Sequence, residues 1–594
     1  MTRESLGYVV AVDGSVVRIN LHDSHKGNVM LVQEGPSVVG GPDSLLGIDD
    51  GLDVVVVRVQ SLEIADPTEA HRMGVGTATV SRQPLRTIHA YVVGLIQRDH
   101  NILTFNSHVW RGPALGASAV PLSDDELQTV MNGAVPNGET IELGASVTNP
   151  ALHLNVRLNS LLAQHLAVLG SSGQGKTFFI ASLVQQMIAK YLNPRIVIFD
   201  VNGEYASAFE HLESRAKFSR VGHASGANPR SNHLSIPYYA LGRAGLTRLL
   251  APSDKTQAPA LRFALERLPY MACNGETAGL ANGQSLPLRD DGLAIDPRAA
   301  LSVMEQLKAT TSHLSLAPTW PHMRAISCLV ADAWALVQGR NGPERSGFLY
   351  GNVAPLVNRV HSYLADGLFR AVVDVGGGEP MPSSTNPGQD LMEAASQSLL
   401  QEVFGLGEVD LDWAVHVVDL SQLPKDLMSG VLGALLDTYA DALFRIGPER
   451  AHPTTLVLEE AHHYLDAHGL SEHLDSVQPA PYERLAKEGR KFNLSMVVST
   501  QRPSEVSPTV LAQCGTWCVL RLTNQRDIEA AATAMGQMGR ANGLAHRIAS
   551  LPRWQGVVFG SAVALPWWIR LNRPDPEFEP TSHDAHFEAE WGPR

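Results

Sequence analysis

Residues 166–184 read LAVLGSSGQGKTFFIASLV. An apolar run is followed by small and polar residues, and a Gly-Lys-Thr sequence then leads into a helical pattern. Residues 170–177, GSSGQGKT, satisfy G-x-x-x-x-G-K-[ST] at every fixed position. The apolar run before them predicts a strand, and the spacing after them predicts a helix. This context favours a phosphate-binding loop of an NTPase over a bland glycine-rich turn between a strand and a helix.

The chemistry of such a loop assigns roles to its residues. Successive backbone N–H groups and the positive end of the helix dipole face the phosphates of the nucleotide. We expect the Lys176 ammonium to reach the β- and γ-phosphates of ATP and the Thr177 hydroxyl to bind Mg²⁺. The predicted nucleotide-binding residues of the loop are Gly170, Ser171, Ser172, Gly173, Gln174, Gly175, Lys176 and Thr177.

A pair of acids follows a second apolar run, in TTLVLEEAHHYL. In the Walker B arrangement Glu459 would hold the Mg²⁺ ion and its water shell, and Glu460 would polarise the attacking water. The first of these positions is more often Asp. The structural alternative is a solvated helix start, because acids favour that end of a helix. His462 and His463 are adjacent and point in different directions on a helix, so we interpret them as structural or partner-facing.

Three further segments place polar or charged residues near predicted strand ends. Gln501, after LSMVVST, could sense the γ-phosphate and orient water, or simply begin a loop. Asp200 and Glu204, in IVIFDVNGEYA, could lie close to the nucleotide-bound Mg²⁺ or cap the following helix. Arg490 and Arg484, in YERLAKEGRKFN, could complete a neighbouring subunit's ATP site or form a solvated basic face.

Composition limits the class of protein. The chain has 594 residues, of which 44% are hydrophobic and 18% charged, as expected for a soluble protein of two to four domains. We find no apolar run of the length of a membrane span, no signal-peptide pattern and too few cysteines for a disulfide framework. These features predict a cytoplasmic protein without membrane contact. The net charge of −14 counts against a large DNA-binding surface, so a DNA substrate would require locally concentrated basic residues, for example inside a ring.

The chain divides by its sequence patterns. Short Val-, Ile- and Thr-rich runs at 7–21, 53–64, 77–82 and 89–97 predict a small β-barrel or sandwich. Further on, strands alternate with helices, which is typical of a parallel α/β sheet. The predicted divisions are an N-terminal barrel and joint (1–150), a RecA-like core in two parts (151–241 and 392–564), a helical insertion between them (242–391), and a C-terminal arm (565–594).

Several blocks together resemble a known family. HLAVLGSSGQGKT, FDVNGEY, VVDLSQLP, LVLEEAHHYL, EGRKFNLSMVVSTQRPSEV and LPRWQGVVFG occur in the order found in HerA-type ATPases of the HerA/FtsK group. The β-rich N-terminus is similar to the barrel that precedes their ATPase core. The resemblance implies a RecA-like P-loop fold and a homohexameric ring that translocates on double-stranded DNA, through its central pore, using ATP and Mg²⁺. It also implies a partner nuclease or a sirtuin-like effector, in DNA end processing or in anti-phage defence.

The predicted function is therefore an ATP-driven hexameric DNA translocase or helicase. Two alternatives remain at this stage: an ATPase ring that scaffolds and regulates a partner effector without DNA translocation, and a protein-remodelling ring ATPase. Stimulation of ATP turnover by DNA would separate the first reading from both alternatives.

Overall fold

A computed structural model of the chain divides it into two compact units. The first contains Met1–Gln186 and Cys514–Pro574, and the second contains Met187–Gln513 and Asp575–Arg594. The residues that the structure describes are 5–22, 29–32, 35–38, 41, 43–51, 53–65, 85–99, 102–107, 112–133, 139–222, 232–253, 255–283, 285–309, 314–381, 390–408, 410–465, 481–534 and 544–581. The predicted strand at 77–82 lies outside these residues.

The first unit begins with a closed barrel of six strands. Alternation of the side chains explains it: in the strand Val16–Leu21, Val17 and Ile19 are fully buried while Val16 and Arg18 are exposed. The closing contact pairs Val16–Leu21 with Leu85–Asp99. The six strands are Gly7–Asp13, Val16–Leu21, Leu45–Asp50, Asp53–Ala65, Leu85–Asp99 and Ser118–Pro121. The strand Ile102–Asn106 extends this sheet, and Val29–Val32 pairs with Gly35–Val38 in a separate hairpin.

The rest of the first unit is α/β. The helix Asp124–Asn132 follows the barrel and begins with a capping box between Ser123 and Glu126. The sheet pairs His165–Leu169 in parallel with Cys514–Leu520 and continues antiparallel through Gln555–Gly560, Trp567–Leu571, Thr140–Ser146 and His153–Arg157. The helices are Leu158–Leu162, Lys176–Lys190 (which runs into the second unit), Gln525–Ala534 and Leu544–Ala549. Regular sheet structure therefore continues to Leu571, inside the segment that the sequence assigned to a C-terminal arm.

The second unit contains parallel strands whose short apolar runs are buried, as expected for a sheet covered on both faces. In spatial order they are Leu494–Thr500, Thr454–Leu458, Ile196–Asp200, Val415–Asp419, Ala216–Arg220 and Asn232–His233. This unit also contains short helical segments: Ala206–Phe209, Glu210–Arg215, Tyr238–Leu241, Ala461–His463, Pro481–Glu488, Gly489–Phe492, Pro503–Glu505, Pro508–Ala512 and Pro576–Phe578.

One helix of this unit corrects an expectation from the sequence. Lys425–Ile446 is the one helix among the described residues that is long and apolar enough to cross a membrane, although the sequence reading found no such run. Its most apolar window is 67% buried inside the structure. Burial of this kind is also what the core helix of an α/β unit requires, so its composition has a packing explanation.

The predicted helical insertion is mostly helical. Its helices are Gly242–Leu250, Gln257–Arg267, Leu268–Tyr270, Pro297–Lys308, Arg324–Ala335, Gly347–Ala365, Gly367–Val372 and Leu391–Phe404. Short strands interrupt them at Ile236–Pro237, Met271–Cys273, Thr277–Leu280, Leu286–Pro287, Leu336–Gly339, Gly342–Arg345 and Val373–Asp374. The predicted fold class is confirmed in its architecture: a small β-barrel precedes an α/β core with a helical insertion.

Candidate nucleotide site

The first unit carries the predicted phosphate loop between a buried strand and a helix. Every residue of His165–Leu169 is buried, and the helix begins at Lys176. Gly173 and Gly175 have φ angles of 70° and 107°, a region that favours glycine because it lacks a Cβ. The backbone N–H of Ser171 donates to the carbonyl of Arg521 over 2.8 Å, which fixes the start of the loop to the end of the neighbouring strand.

Lys176 lies within this loop. Its side chain is only 7% exposed, and its ammonium donates to the Gly170 carbonyl over 2.7 Å and to the Ser171 carbonyl over 3.3 Å. A buried ammonium held by carbonyls of the loop is positioned where the loop's N–H groups converge on an anion. Thr177 is half-buried in the first turn of the helix. The strand, loop and helix thus have the form that the sequence predicted.

An aromatic residue packs on the loop from a distant part of the sequence. The Trp554 backbone N–H donates to the Gln174 carbonyl over 3.2 Å, and its ring makes an edge contact with Phe178 at 4.9 Å between centroids. The guanidinium of Arg573 lies 4.3 Å from the Trp554 ring centroid. Trp554 itself has a φ of 68°, which is unusual for a bulky residue. The loop is therefore supported by an aromatic and cationic cluster that the phosphate motif does not include.

The second unit carries the predicted acid pair at the end of Thr454–Leu458. Glu459 and Glu460 are 2% and 7% exposed, so neither is part of a solvated helix start. One oxygen of Glu459 accepts a hydrogen bond from the Val201 N–H over 3.2 Å. Glu460 has a φ of 44°, a left-handed conformation that is rare outside glycine and that costs free energy when the surrounding structure imposes it. Buried carboxylates on a strained strand end are typical of a functional site.

A backbone N–H from the adjacent strand end and a nearby histidine hold Glu460. The Gln501 N–H donates to Glu460 Oε2 over 3.4 Å. His462 Nδ1 lies 3.4 Å from the same oxygen and 3.0 Å from the hydroxyl of Thr500. His462 is buried, so it is structural, which agrees with the sequence interpretation, and it links the two strand ends. The side-chain amide of Gln501 makes no hydrogen bond to the described residues, which leaves it available.

The Asp200 carboxylate organises the turn that follows the strand Ile196–Asp200. The Asp200 carboxylate accepts three backbone N–H groups, from Gly203 at 2.8 Å, Glu204 at 3.1 Å and Tyr205 at 2.9 Å. It therefore caps the turn that leads into the next helix. Burial raises its pKa to about 6, opposed by these hydrogen bonds and helped by the nearby Asp419 carboxylate. Glu204 is half-buried on the same turn.

The two arginines before the Leu494–Thr500 strand differ in their partners. Arg484 Nε lies 3.3 Å from Glu488 Oε1, and its guanidinium lies 4.1 Å from the ring centroid of Phe444. Arg490 is exposed in the short helical turn Gly489–Phe492, and its guanidinium has no partner among the described residues. Arg490 is thus the more available of the two cations.

Comparison with known proteins finds similarity to proteins described as helicases. Residues 141–287 match the family described as Helicase HerA, central domain. The chain is 22% identical over 479 residues to the DNA double-strand break repair helicase HerA of Pyrococcus furiosus, covering 76% of this chain and 71% of the relative. It is 21% identical over 489 residues to the probable HerA of Methanocaldococcus jannaschii, covering 81% and 85%. The predicted resemblance to HerA-type ATPases is confirmed. Together with the complete phosphate loop, these similarities support an ATPase.

Among solved structures, VirB4 of Thermoanaerobacter pseudethanolicus aligns with a TM-score of 0.43 and 17% identity. That alignment covers 75% of this chain and 100% of VirB4. At this level of similarity it supports no functional argument.

Two features of the structure are not predicted by the sequence. The Trp554 cluster was visible only as part of the LPRWQG block, because nothing in the phosphate motif calls for an aromatic residue far along the chain. The link from His462 to Thr500 and Glu460 depends on two strands being neighbours, which a linear pattern does not contain. In both cases the signal lies in the pairing of strands.

Proposed function

We propose that this chain is an ATP-driven translocase or helicase on double-stranded DNA that works as a homohexamer. The observation that carries the proposal is a complete phosphate loop in a chain that aligns over most of its length with relatives named as DNA double-strand break repair helicases. The buried acids Glu459 and Glu460, at the end of a core strand of the second unit, support the ATPase half of the proposal.

In this proposal the phosphate loop binds ATP. Its backbone N–H groups, from Gly170 to Gly175, bind the phosphates, and the Lys176 ammonium leaves the loop carbonyls to bind the β- and γ-phosphate oxygens. The donor types suit Mg²⁺, since a threonine hydroxyl (Thr177) and a carboxylate (Glu459) are the hard oxygen ligands that this ion prefers. Mg²⁺ would neutralise part of the phosphate charge, as it does in P-loop enzymes generally.

Hydrolysis requires a base and a sensor. Glu460 would accept the proton of the attacking water, because its carboxylate is buried and fixed by the Gln501 N–H and by His462. The unbonded amide of Gln501 would orient the same water or contact the γ-phosphate. Asp200 contributes by fixing the turn, while Glu204, on that turn, remains a candidate for contact with the nucleotide's metal.

Assembly and partners complete the proposal. Arg490, or less favourably Arg484, would reach the nucleotide of a neighbouring subunit and offset charge in the transition state. A ring reconciles a net charge of −14 with DNA, because only the residues that line the pore must be basic. We propose that the ring acts with a partner nuclease or a sirtuin-like effector, in end processing or anti-phage defence.

An ATPase assay with and without duplex DNA tests the proposal. We expect turnover to rise severalfold when linear duplex DNA is added, and the stimulation to fall as salt rises because DNA contacts are ionic. The native mass, measured by light scattering, should be six times that of one chain. A rate of ATP turnover that does not change with DNA but rises with a co-purified protein would favour the scaffold alternative and contradict the proposal of DNA translocation.

A further inference from the structure

A cavity of about 330 Å³ lies in the first unit, outside the nucleotide-binding loop. Barrel residues line one part of it and residues around the strand Trp567–Leu571 line another. Its volume falls at the small end of the range of ligand pockets, about 300–1,000 Å³. The lining residues that matter for its chemistry are Asp43, Arg58, Ser146, Arg547, Trp567 and Trp568.

Arg58 is the unusual member of this lining. It lies on the barrel strand Asp53–Ala65 and is 5% exposed. Among the described residues, its guanidinium donates one hydrogen bond, from Nη2 to the Pro566 carbonyl over 2.8 Å, and its Nε has no partner. It forms no ion pair with a carboxylate in the described part of the chain. Burial lowers the pKa of Arg58, and the opposing influence comes from the Tyr91 hydroxyl rather than from an acid.

The other charges of the lining do not compensate Arg58. Asp43 forms an ion pair with Arg547, whose guanidinium also lies 4.7 Å from the Trp568 ring centroid. That pair is neutral, so the described residues that line the cavity retain one positive charge. A buried cation without a counter-ion is destabilising, and natural proteins rarely retain one without a use.

A second donor lacks an acceptor beside the same cavity. The indole Nε1–H of Trp567 is buried and has no hydrogen-bond partner among the residues that the structure describes. Leu45, Leu122 and Leu551 supply apolar lining, so the cavity combines an apolar body with unmatched donors. A ligand that satisfied these groups would bring acceptor atoms and negative charge on one side, and a flat apolar body on the other.

We propose that this cavity binds a small organic anion, with a carboxylate or phosphate group directed at Arg58 and an apolar body against Trp567. The site is separate from the ATP loop, and the proposal does not depend on DNA translocation. Charge pairing with Arg58 supplies the specificity, because hydrogen bonds from an arginine to an ionised acceptor are stronger than those between neutral groups.

Calorimetric titration of the full chain carrying Lys176→Ala tests the site, since this substitution weakens phosphate binding at the ATP loop. The probes are phenyl phosphate and phenylacetate, which present the two anion types on the same ring. Benzyl alcohol lacks the charge and inorganic phosphate lacks the ring. We expect at least one aromatic anion to bind at least tenfold more tightly than both controls.

Two further substitutions locate the binding. Arg58→Met should weaken it about tenfold or more, without lowering the thermal midpoint of the ligand-free protein, because it removes an unpaired buried charge. Trp567→Phe keeps an aromatic ring but removes the indole donor, and should weaken binding about fivefold. Arg18→Met, on the exposed side of the barrel, should leave binding unchanged.

The outcomes decide the proposal. Preference between phenyl phosphate and phenylacetate identifies the anion type. Absence of binding by both, equal binding of benzyl alcohol, equal binding of inorganic phosphate, or full binding in Arg58→Met and Trp567→Phe would each overturn it.

Discussion

The ring of Trp554 lies directly against Gly175 of the phosphate loop. A Cβ at Gly175 would lie 2.5 Å from Trp554 Cε3, closer than real side-chain contacts allow. Gly173 also has a positive φ, but a Cβ there would meet nothing within 4 Å. Substitution of Gly173 therefore tests the backbone conformation alone, whereas substitution of Gly175 tests both the backbone conformation and the packing against Trp554.

Gly175→Ala should disable the loop more severely than Gly173→Ala. The first change combines strain at a φ of 107° with a clash against an aromatic ring, whereas the second adds only the strain. We expect the KM for ATP to rise or kcat to fall by about tenfold or more in Gly175→Ala, and by less in Gly173→Ala. Steady-state kinetics on both variants provide the measurement. Equal losses would show that Trp554 does not constrain the loop.

Lys176→Ala should abolish ATP turnover while the protein stays folded. The substitution removes the ammonium expected to bind the β- and γ-phosphates, and the alanine continues the helix without a conformational cost. Lys190→Ala removes a lysine from the last turn of the same helix and should keep activity close to that of the wild type. Phosphate release and circular dichroism on both variants are the measurements. Normal turnover in Lys176→Ala would exclude the loop as the ATP site.

Glu460→Gln and Glu459→Gln should fail in different ways. In Glu460→Gln the introduced amide keeps the shape of the side chain but cannot accept a proton from water. This variant should therefore bind ATP and hydrolyse it about 10²-fold more slowly or worse. Glu459→Gln should instead raise the Mg²⁺ concentration needed for half-maximal turnover and weaken nucleotide retention. Nucleotide-binding titrations beside Mg²⁺-dependent kinetics distinguish these effects. If both variants bind and turn over ATP normally, Asp419 becomes the next acid to test.

The sequence predicted the parts of the site that are local in the chain. Gly170 to Thr177 carry their own signal, because a strand, a fixed glycine spacing and a helix are contiguous. Glu459 and Glu460 were recognisable because an apolar strand ends there. The contacts of Trp554 with Gly175, and of His462 with Thr500, join segments that are distant in sequence, and only strand pairing brings them together. Hydrophobic periodicity identifies strands but not their order in the sheet. The contacts of Trp554 and His462 could therefore not be predicted from the sequence.

The fold shows the same division. The run at 53–64 was recognisable from its Val-rich pattern, and it is the strand Asp53–Ala65. That these strands close into a barrel depends on pairing between Val16–Leu21 and Leu85–Asp99, which are far apart in the chain. The buried charge of Arg58 is equally invisible in sequence, since an arginine among valines reads as an exposed position of an alternating strand.

Asp200 provides a pH-dependent test of its capping role. Its folded pKa of about 6 lies above the ordinary aspartate value of 3.8, so ionisation opposes folding: the penalty is complete above pH 6 and disappears below about pH 4. The wild type should therefore gain stability relative to Asp200→Asn as the pH falls from 7.5 to 5, by about 1 kcal/mol. Asn should be destabilising at both values, because its amide cannot accept the Tyr205 N–H as the carboxylate does.

Denaturant unfolding of both proteins at pH 5 and 7.5 measures this difference directly. Comparing the two proteins at each pH removes the contribution of other titrating groups. A wild-type advantage that shrank at pH 5 would mean that the hydrogen bonds outweigh burial and lower the pKa of Asp200.

Arg490 and Arg484 offer the test of a site shared between subunits. Arg490 is exposed without a partner in the described part of the chain, while Arg484 is engaged by Glu488 and lies over Phe444. An arginine is well suited to stabilise the negative charge of a neighbour's triphosphate, because its planar guanidinium can bind two phosphate oxygens and does not lose its charge. An exposed ion pair such as that of Arg484 contributes about 0–1 kcal/mol, so its loss should matter little to folding.

Arg490→Ala should reduce ATP turnover by about 10²-fold or more, with a smaller loss for Arg484→Ala and almost none for Lys487→Ala, an exposed cation on the same helix. Complementation then separates a shared site from a local effect. Subunits with Arg490→Ala keep an intact phosphate loop, and subunits with Lys176→Ala keep an intact Arg490, yet each ring alone should be inactive. Mixed rings contain interfaces that pair a good loop with a good arginine, so part of the activity should return. If Arg490→Ala and Arg484→Ala both retained full turnover, or if a stable monomer had full activity, the site would be complete within one chain.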